Sequence, residues 1–134
     1  MRLSARTVTG LRALVALARS GNGGLTLSAL AERSGAPAAY LAKLVAPLKA
    51  AGLVGSTRGF RGGVSLAAPP SRIAAGRVLD ALEGPLLERE PAAGSGDPAV
   101  EALRAGLEGA MRAWLEGVTL EDLAARPGLD DWTI

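Results

Sequence analysis

The chain has 134 residues, of which 49% are hydrophobic and 3% aromatic, so the core of one domain has to be built mostly from Leu, Val and Ala. It contains no cysteine and no histidine, which excludes disulfides, thiolate nucleophiles, and metal sites or proton transfer based on a thiolate or an imidazole. Residues 1–79 carry 11 Lys/Arg and one acid, whereas residues 80–134 carry 4 Lys/Arg and 12 acids. This asymmetry favours an anionic partner such as nucleic acid for the first half of the chain.

The first predicted helix begins near Ser4 and ends at the turn sequence SGNGG, residues 20–24. No cleavage site follows this amphipathic segment, and no apolar run approaches the roughly 18 residues of a membrane helix, so we expect a cytoplasmic protein with no membrane partner. Apolar residues recur along the helix at helical spacing and predict a buried stripe of Val8, Leu11, Leu14, Val15 and Ala18.

Two short helices joined by a tight turn are predicted next. Thr26 is placed to cap the first helix, Gly35 closes it, and Pro37 fits the first turn of the second. Pro47 falls inside the second helix and predicts a kink. The inner stripe of the second helix is formed by Leu41, Leu44, Val45 and Leu48. This is the helix-turn-helix pattern, whose second helix lies in the major groove in proteins that read DNA.

A β-hairpin is predicted from residues 53–57 and 64–67, with the sequence RGFRGG at its tip. The glycines let the backbone approach a groove wall closely, so that Arg58 and Arg61 reach phosphates or a narrow minor groove. A helix-turn-helix followed by a hairpin with a basic tip predicts a winged helix.

The acidic half of the chain predicts a long helix after a loop over residues 85–98. Asp97 caps this helix, and Pro98 occupies its first position. Its apolar residues are spaced as in a coiled-coil seam: Val100, Leu103, Leu107, Met111, Trp114 and Val118. Gly106 and Gly109 fit a close contact with another helix, although the seam can equally cover its own domain. A short helix over residues 73–82 precedes the loop, and a last one, capped by Thr119 with Asp122, ends the pattern at residue 125.

The motifs, taken in order, resemble the Rrf2 family of bacterial winged-helix regulators. The similarity runs from MRLS through LSALAERSGAPAAYLAKLV, KAAGLVGSTRGFRGGVSLA and PPSRI to VLDALEGPL and WLEGVTLEDLA, and so covers nearly the whole chain. The resemblance implies a mainly α fold with a small β-hairpin, in which a winged helix-turn-helix domain (residues 1–84) precedes a loop, a long dimerisation helix and a short C-terminal helix (residues 85–134). It also implies a homodimeric transcription factor, with the seam above as its dimer contact.

The resemblance places DNA contacts at the N-terminal segment, the second helix of the helix-turn-helix, and the wing. Together with Thr26, which caps the first helix of the helix-turn-helix, these three segments supply the candidate DNA-binding residues: Arg2, Ser4, Arg6, Thr26, Ala38, Ala39, Tyr40, Lys43, Arg58, Arg61, Gly62 and Gly63. Many members of the family hold an iron–sulfur cluster through three cysteines in the loop before the long helix. The corresponding loop here contains none, so the chain resembles the cluster-free branch, with no cofactor and no catalytic residue expected.

These observations predict a sequence-specific DNA-binding regulator, a repressor acting as a homodimer on a palindromic operator in double-stranded DNA. An alternative is a winged helix that binds an acidic protein partner. The wing argues against it, because two arginines among glycines suit a groove better than the rigid aromatic anchors of protein interfaces. An enzyme is disfavoured by the missing His and Cys. The operator, the regulated genes and any effector do not follow from the sequence.

The first prediction concerns iron. Because the chain has no cysteine or histidine to bind it, protein purified without oxygen is expected to be colourless and to contain no stoichiometric iron. Visible absorbance and elemental analysis provide the measurement. An iron–sulfur signal of one cluster per chain would contradict the expectation.

Overall fold

The computed structural model describes residues 3–21, 23–57, 62–84 and 96–126. Four helices with short connections form most of the fold around the wing: α1 (Ala5–Ser20), α2 (Leu27–Ser34), α3 (Ala38–Ala50) and α4 (Ala75–Glu83). The long helix α5 (Pro98–Gly117) and the short helix α6 (Leu120–Ala125) follow. A mainly helical winged-helix fold is thereby confirmed. None of the described helices is both long and apolar enough to cross a bilayer.

Three helix starts follow from local capping; the caps at Thr26 and Asp97 were predicted, and the start of α1 was predicted near Ser4. Ser4 caps α1 by accepting a hydrogen bond from the Thr7 backbone N–H (3.2 Å), and Thr26 caps α2 by accepting one from the Ala29 N–H (3.1 Å). The Asp97 carboxylate caps α5 through the Ala99 N–H at 2.9 Å, with Pro98 in the first turn. Each cap satisfies a backbone donor that the helix itself leaves unpaired.

The predicted stripe of α1 is partly wrong. Val8 is 40% exposed, and Leu11, Val15 and Ala18 are only partly buried. The helix instead buries the face formed by Thr7, Gly10, Ala13, Leu14, Ala16 and Leu17. Small residues dominate this face because α4 packs closely against it: a side chain at Gly10 would collide with Leu82.

Helix α3 runs through Pro47 to Ala50, so the proline does not end it. The helix ends in a Schellman motif, in which the Leu53 N–H donates to the Leu48 carbonyl and the Gly52 N–H to the Lys49 carbonyl, both at 3.0 Å. Gly52 has a φ of 75°, a left-handed conformation that glycine adopts at no steric cost. Leu48 and Leu53 are both buried, and they fix the direction in which the chain enters the wing.

The wing is an antiparallel sheet with the strand order β1-β3-β2. Strands β2 (Val54–Thr57) and β3 (Gly63–Leu66) form the predicted hairpin, with Val54 opposite Leu66 and Thr57 opposite Gly63. Strand β1 (Leu25–Thr26), which the sequence did not predict, pairs with the other edge of β3. The sheet therefore ties the wing directly to the residue that caps α2.

The chain after α5 returns to the core formed by helices α1–α4. The Ala75 N–H donates to the Val118 carbonyl (2.7 Å), and the Leu120 N–H donates to the Ile73 carbonyl (2.9 Å). Leu120 is fully buried in the same core as the helices around the wing, and α6 packs against α1. The predicted division after residue 84, which groups α6 with α5, stays a prediction; these contacts join α6 to α1 and to the residues just before α4.

Two polar arrangements hold α6 in place. Thr119 and Asp122 form the predicted capping box, and the hydrogen bonds from the Thr119 backbone N–H and hydroxyl lower the pKa of Asp122 below its ordinary value of 3.8. The contribution of this carboxylate to stability is present above pH 3.8 and is lost as the pH falls through the lowered pKa. At the other end of α6, the Arg19 guanidinium donates to the Ala124 and Arg126 carbonyls at 3.1 and 2.9 Å.

The second prediction tests whether α6 is part of the common core. Leu120→Ala is expected to lower the free energy of unfolding by about 2–5 kcal/mol, because it opens a cavity at a fully buried position. Denaturant unfolding of the variant provides the measurement, and the exposed neighbour change Glu121→Ala, expected to stay within about 0.5 kcal/mol of the parent, is the control. An unchanged unfolding midpoint for Leu120→Ala would show that α6 is not in the core.

Candidate nucleic-acid interface

The helix-turn-helix presents one face of α3 to solvent. Leu41, Leu44 and Leu48 are buried against α1, α2 and the wing, which fixes how α3 rotates about its axis. The opposite face of the helix is exposed along its whole length, and it is lined by Ala38, Ala39, Ala42, Lys43, Ala46, Lys49 and Ala50. A helix with a smooth, methyl-lined outer face flanked by cations fits the width of a major groove.

The turn between α2 and α3 depends on Gly35. This residue has a φ of 72° and donates its N–H to the Ala31 carbonyl at 2.9 Å. A Cβ atom added here would lie 2.8 Å from Nη2 of Arg12, since the side chain of Arg12 crosses the turn from α1. Gly35 therefore allows both the left-handed conformation and the close approach of a cation to the turn.

The two helices that precede α3 and contact it also carry exposed cations. Arg6 and Arg12 of α1 and Arg33 of α2 are exposed, and the only acid in residues 1–79 of the sequence is Glu32. Uncompensated cations at this density attract a phosphate backbone and make binding depend on salt.

Lys49 was not among the predicted DNA contacts. Its exposed side chain lies at the C-terminal end of α3, with Nζ 3.5 Å from the Ser56 hydroxyl of β2, so it joins the outer face of α3 to the wing. The signal was present in the sequence, because positions 39, 42, 46 and 49 fall on the helix face opposite the inner leucines.

The remaining predicted residues differ in their surroundings. Tyr40 is half-buried and packs against the core, while Ala38, Ala39 and Lys43 are exposed. The Ser4 and Thr26 hydroxyls act as helix caps, and the Ser4 N–H also donates to Oε1 of Glu83 (2.7 Å). At the N-terminus of α1 an anion is therefore already present, the Glu83 carboxylate, so the DNA contacts predicted for Ser4 and Thr26 stay predictions.

The described residues include both strands of the wing hairpin but not residues 58–61 at its tip. Gly62 is exposed, and Gly63 begins β3 opposite Thr26 of β1 and Thr57 of β2. Arg2, Arg58 and Arg61 lie outside the described residues, so their contacts with DNA stay a prediction.

The predicted seam of α5 is exposed, apart from its last residue. The exposed fractions are 48% for Val100, 65% for Leu103, 59% for Leu107 and 60% for Trp114, while Met111 is half-buried. Val118 lies beyond the end of the helix and is 8% exposed, packed against Ala75 and Leu79 within its own chain. Five of the six seam residues thus lie along α5, and the sixth belongs to a cluster within the chain.

Comparisons with known proteins agree on one class. A family model described as "Rrf2: Iron-dependent Transcriptional regulator" matches residues 3–126. The HTH-type transcriptional regulator CymR of Bacillus subtilis is 36% identical over 126 residues, which cover 93% of this chain and 91% of that protein. Protein aau3 of Rhizobium meliloti is 35% identical over 138 residues, covering 97% of this chain and 90% of that protein.

Solved structures show the same fold. The structure of CymR, named the global cysteine regulator of B. subtilis, has a TM-score of 0.84 at 36% identity and covers 93% of this chain and 97% of its own. The structure of IscR from T. potens has a TM-score of 0.77 at 27% identity and covers 100% of this chain and 93% of its own.

The family description includes iron, and the donor groups of this chain do not fit it. Iron–sulfur clusters in proteins are bound by cysteine thiolates, with histidine replacing some of them in a few classes, and this sequence has neither residue. Among the described residues, no group of three or more carboxylates is placed to hold a metal ion instead.

Proposed function

The chain belongs to the Rrf2 family of transcriptional regulators, and we propose that it represses transcription as a homodimer bound to a palindromic operator, without an iron–sulfur cluster. Transcriptional regulators of this family bind DNA and are not enzymes. The observation that carries the proposal is the exposed face of α3, which is lined by methyl groups, bears Lys43 and Lys49, and stands beside a wing hydrogen-bonded to the start of α2. Because the proposed ligand is chromosomal DNA, the proposed site of action is the cytoplasm.

Affinity would come mainly from phosphate contacts. Exposed cations on α3 and on the two helices that contact it would replace counterions along the DNA backbone: Arg6, Arg12, Arg33, Lys43 and Lys49. Direct readout would be modest: Ala38, Ala39 and Ala42 offer methyl groups that suit thymine methyls, but no hydrogen-bonding group. A regulator of this kind would depend on DNA shape and on the wing for much of its specificity.

The homodimer is proposed through α5. No side chain of this helix is fully buried, and its seam presents a contiguous apolar surface of the kind that marks an interaction site. An apolar groove of about 470 Å³ adjoins the seam, lined among others by Leu3, Leu11, Leu79, Met111 and Trp114. A second copy of α5 would cover the seam and the groove together.

The third prediction concerns the wing. Changing Arg58 and Arg61 together to Ala is expected to leave the melting temperature nearly unchanged, because surface substitutions usually alter stability by less than about 0.5 kcal/mol. The slope of log affinity against log salt should fall by roughly 2 for one wing, and by roughly 4 when both wings of a dimer engage a palindrome. Fluorescence anisotropy on specific and scrambled duplexes at several salt concentrations provides the measurement.

The control for the wing is the double variant Arg104→Ala, Arg126→Ala. It removes the same charge from exposed positions on α5 and after α6, far in sequence from the wing, and should leave the salt slope as it is in the parent. An unchanged slope for the wing variant, or a wing variant that unfolds, would refute the role proposed for Arg58 and Arg61.

The fourth prediction concerns assembly. Leu107→Glu is expected to give folded monomers. In the dimer the new carboxylate would be buried without a partner in an apolar helix contact, which is costly. In the monomer the Leu107 side chain is 59% exposed, so a carboxylate at this position stays in water. Sedimentation velocity measures the assembly and circular dichroism the fold. Ala105→Glu is the matched control: it lies about 160° from Leu107 around the helix and should remain dimeric. A dimeric Leu107→Glu protein would show that the seam is not the interface.

A further inference from the structure

A small cleft lies between α4 and α5, with a volume of about 140 Å³. Met111 and Leu115 of α5 form an apolar floor, and four charged residues surround it: Arg77 and Asp80 of α4, and Arg112 and Glu116 of α5. The two helices meet closely beside the cleft, since a Cβ atom added at Gly76 would lie 3.3 Å from Cβ of Leu115. The cleft is therefore bounded by a rigid helix contact.

The charged residues of α5 that line the cleft face away from the proposed dimer seam. At 3.6 residues per turn, Arg112 lies about 140° from Leu107 around the helix, and Glu116 lies about 160° from Trp114. Met111 borders both the seam and the cleft, so a partner helix packed on the seam would cover one edge of the cleft and leave its charged side, with Arg112 and Glu116, in solvent.

The charges around the cleft are not paired with one another. Elsewhere on α5, Arg104 forms ion pairs with Glu101 (2.9 Å) and Glu108 (2.6 Å). Arg112 and Glu116 have the same i,i+4 spacing as Arg104 and Glu108, but among the described residues neither they nor Asp80 takes part in an ion pair or hydrogen bond. Two guanidinium groups and two carboxylates thus surround an apolar floor, with separate positive and negative positions and no net charge.

We propose that this cleft binds a small zwitterion of the α-amino acid class and that Arg77 transmits its presence to α3. A ligand carboxylate would be held by Arg112 and attract Arg77, and a ligand ammonium would be held by Asp80 and Glu116. A plain anion or a plain cation would leave two like charges of the cleft unmatched. The volume equals that of roughly five water molecules at about 30 Å³ each, so the ligand is small.

The link to DNA binding is the second contact of Arg77. Its Nη2 donates to the Ala51 carbonyl at 3.2 Å, and Ala51 is the C-cap of α3. One side chain therefore borders the cleft and stabilises the end of the helix proposed to enter the major groove. A carboxylate in the cleft competes with the Ala51 carbonyl for this guanidinium, so occupancy weakens the cap of α3 and its hold on DNA. This step rests on the proposed function.

Binding is tested first on the full chain without DNA. Isothermal titration with L-alanine, L-serine and L-valine, each up to about 10 mM, is expected to show saturable binding of at least one of them, whereas acetate and methylammonium, which supply one charge each, do not bind. Arg112→Gln and Asp80→Asn should each weaken binding roughly tenfold or more, and the control Arg104→Gln should not. Absence of binding by all three amino acids, or equal binding by the cleft variants, would overturn the site.

Coupling is tested by anisotropy on an operator duplex. Saturation with the amino acid that binds is expected to lower DNA affinity by about fivefold or more. Arg77→Gln lacks the hydrogen bond to the Ala51 carbonyl, so it should bind DNA with the lowered affinity of the ligand-bound parent and should no longer respond to the ligand. A parent protein that binds the amino acid with unchanged DNA affinity would overturn the role of Arg77. Failure of the proposed function is distinguishable, because it would abolish salt-dependent DNA binding in the absence of any amino acid.

Discussion

Burial of one face of α1 is the interaction on which the rest of the structure depends. Thr7, Gly10, Leu14 and Leu17 lie on that face, and helices α2, α3, α4 and α6 all pack against α1. The face consists largely of small residues, so the surrounding helices come close enough to exclude water with very few aromatic side chains. Since α1 contacts α3 and α6 at once, the helix proposed to read DNA and the chain that follows α5 are positioned by the same core.

The two faces of α3 have different roles: one packs in the core and stabilises the fold, and the other is proposed to contact DNA. Its leucines face the core, so its outer face is free to carry methyl groups and lysines that contribute little to folding. Helix α5 differs, because it contacts the core near its C-terminal end through Leu115 and leaves its N-terminal turns exposed. Among the described acids of the second half, Asp97 caps α5 and Glu101, Glu108 and Glu116 lie along it, whereas α3 carries no acid that would repel a phosphate.

Arg77 shows how the two parts of the chain are connected. It belongs to α4, it lies in the cleft next to α5, and it donates to the last turn of α3. A change at the interface between α4 and α5 therefore has a direct physical route to the proposed DNA-binding helix, through one hydrogen bond and without rearrangement of the core.

The sequence by itself determined the features that depend on neighbouring residues. The caps at Thr26, Asp97 and Thr119, the start of α1 near Ser4 and the left-handed end at Gly35 were predicted correctly, because each is decided by hydrogen bonds and backbone sterics within a few residues. The tertiary structure decided which helix faces are buried. It exposed Val8, buried Val118 in its own chain, added β1 to the sheet and brought Lys49 beside the wing. These outcomes depend on contacts between segments far apart in sequence, and no local pattern specifies which distant element will cover a given face.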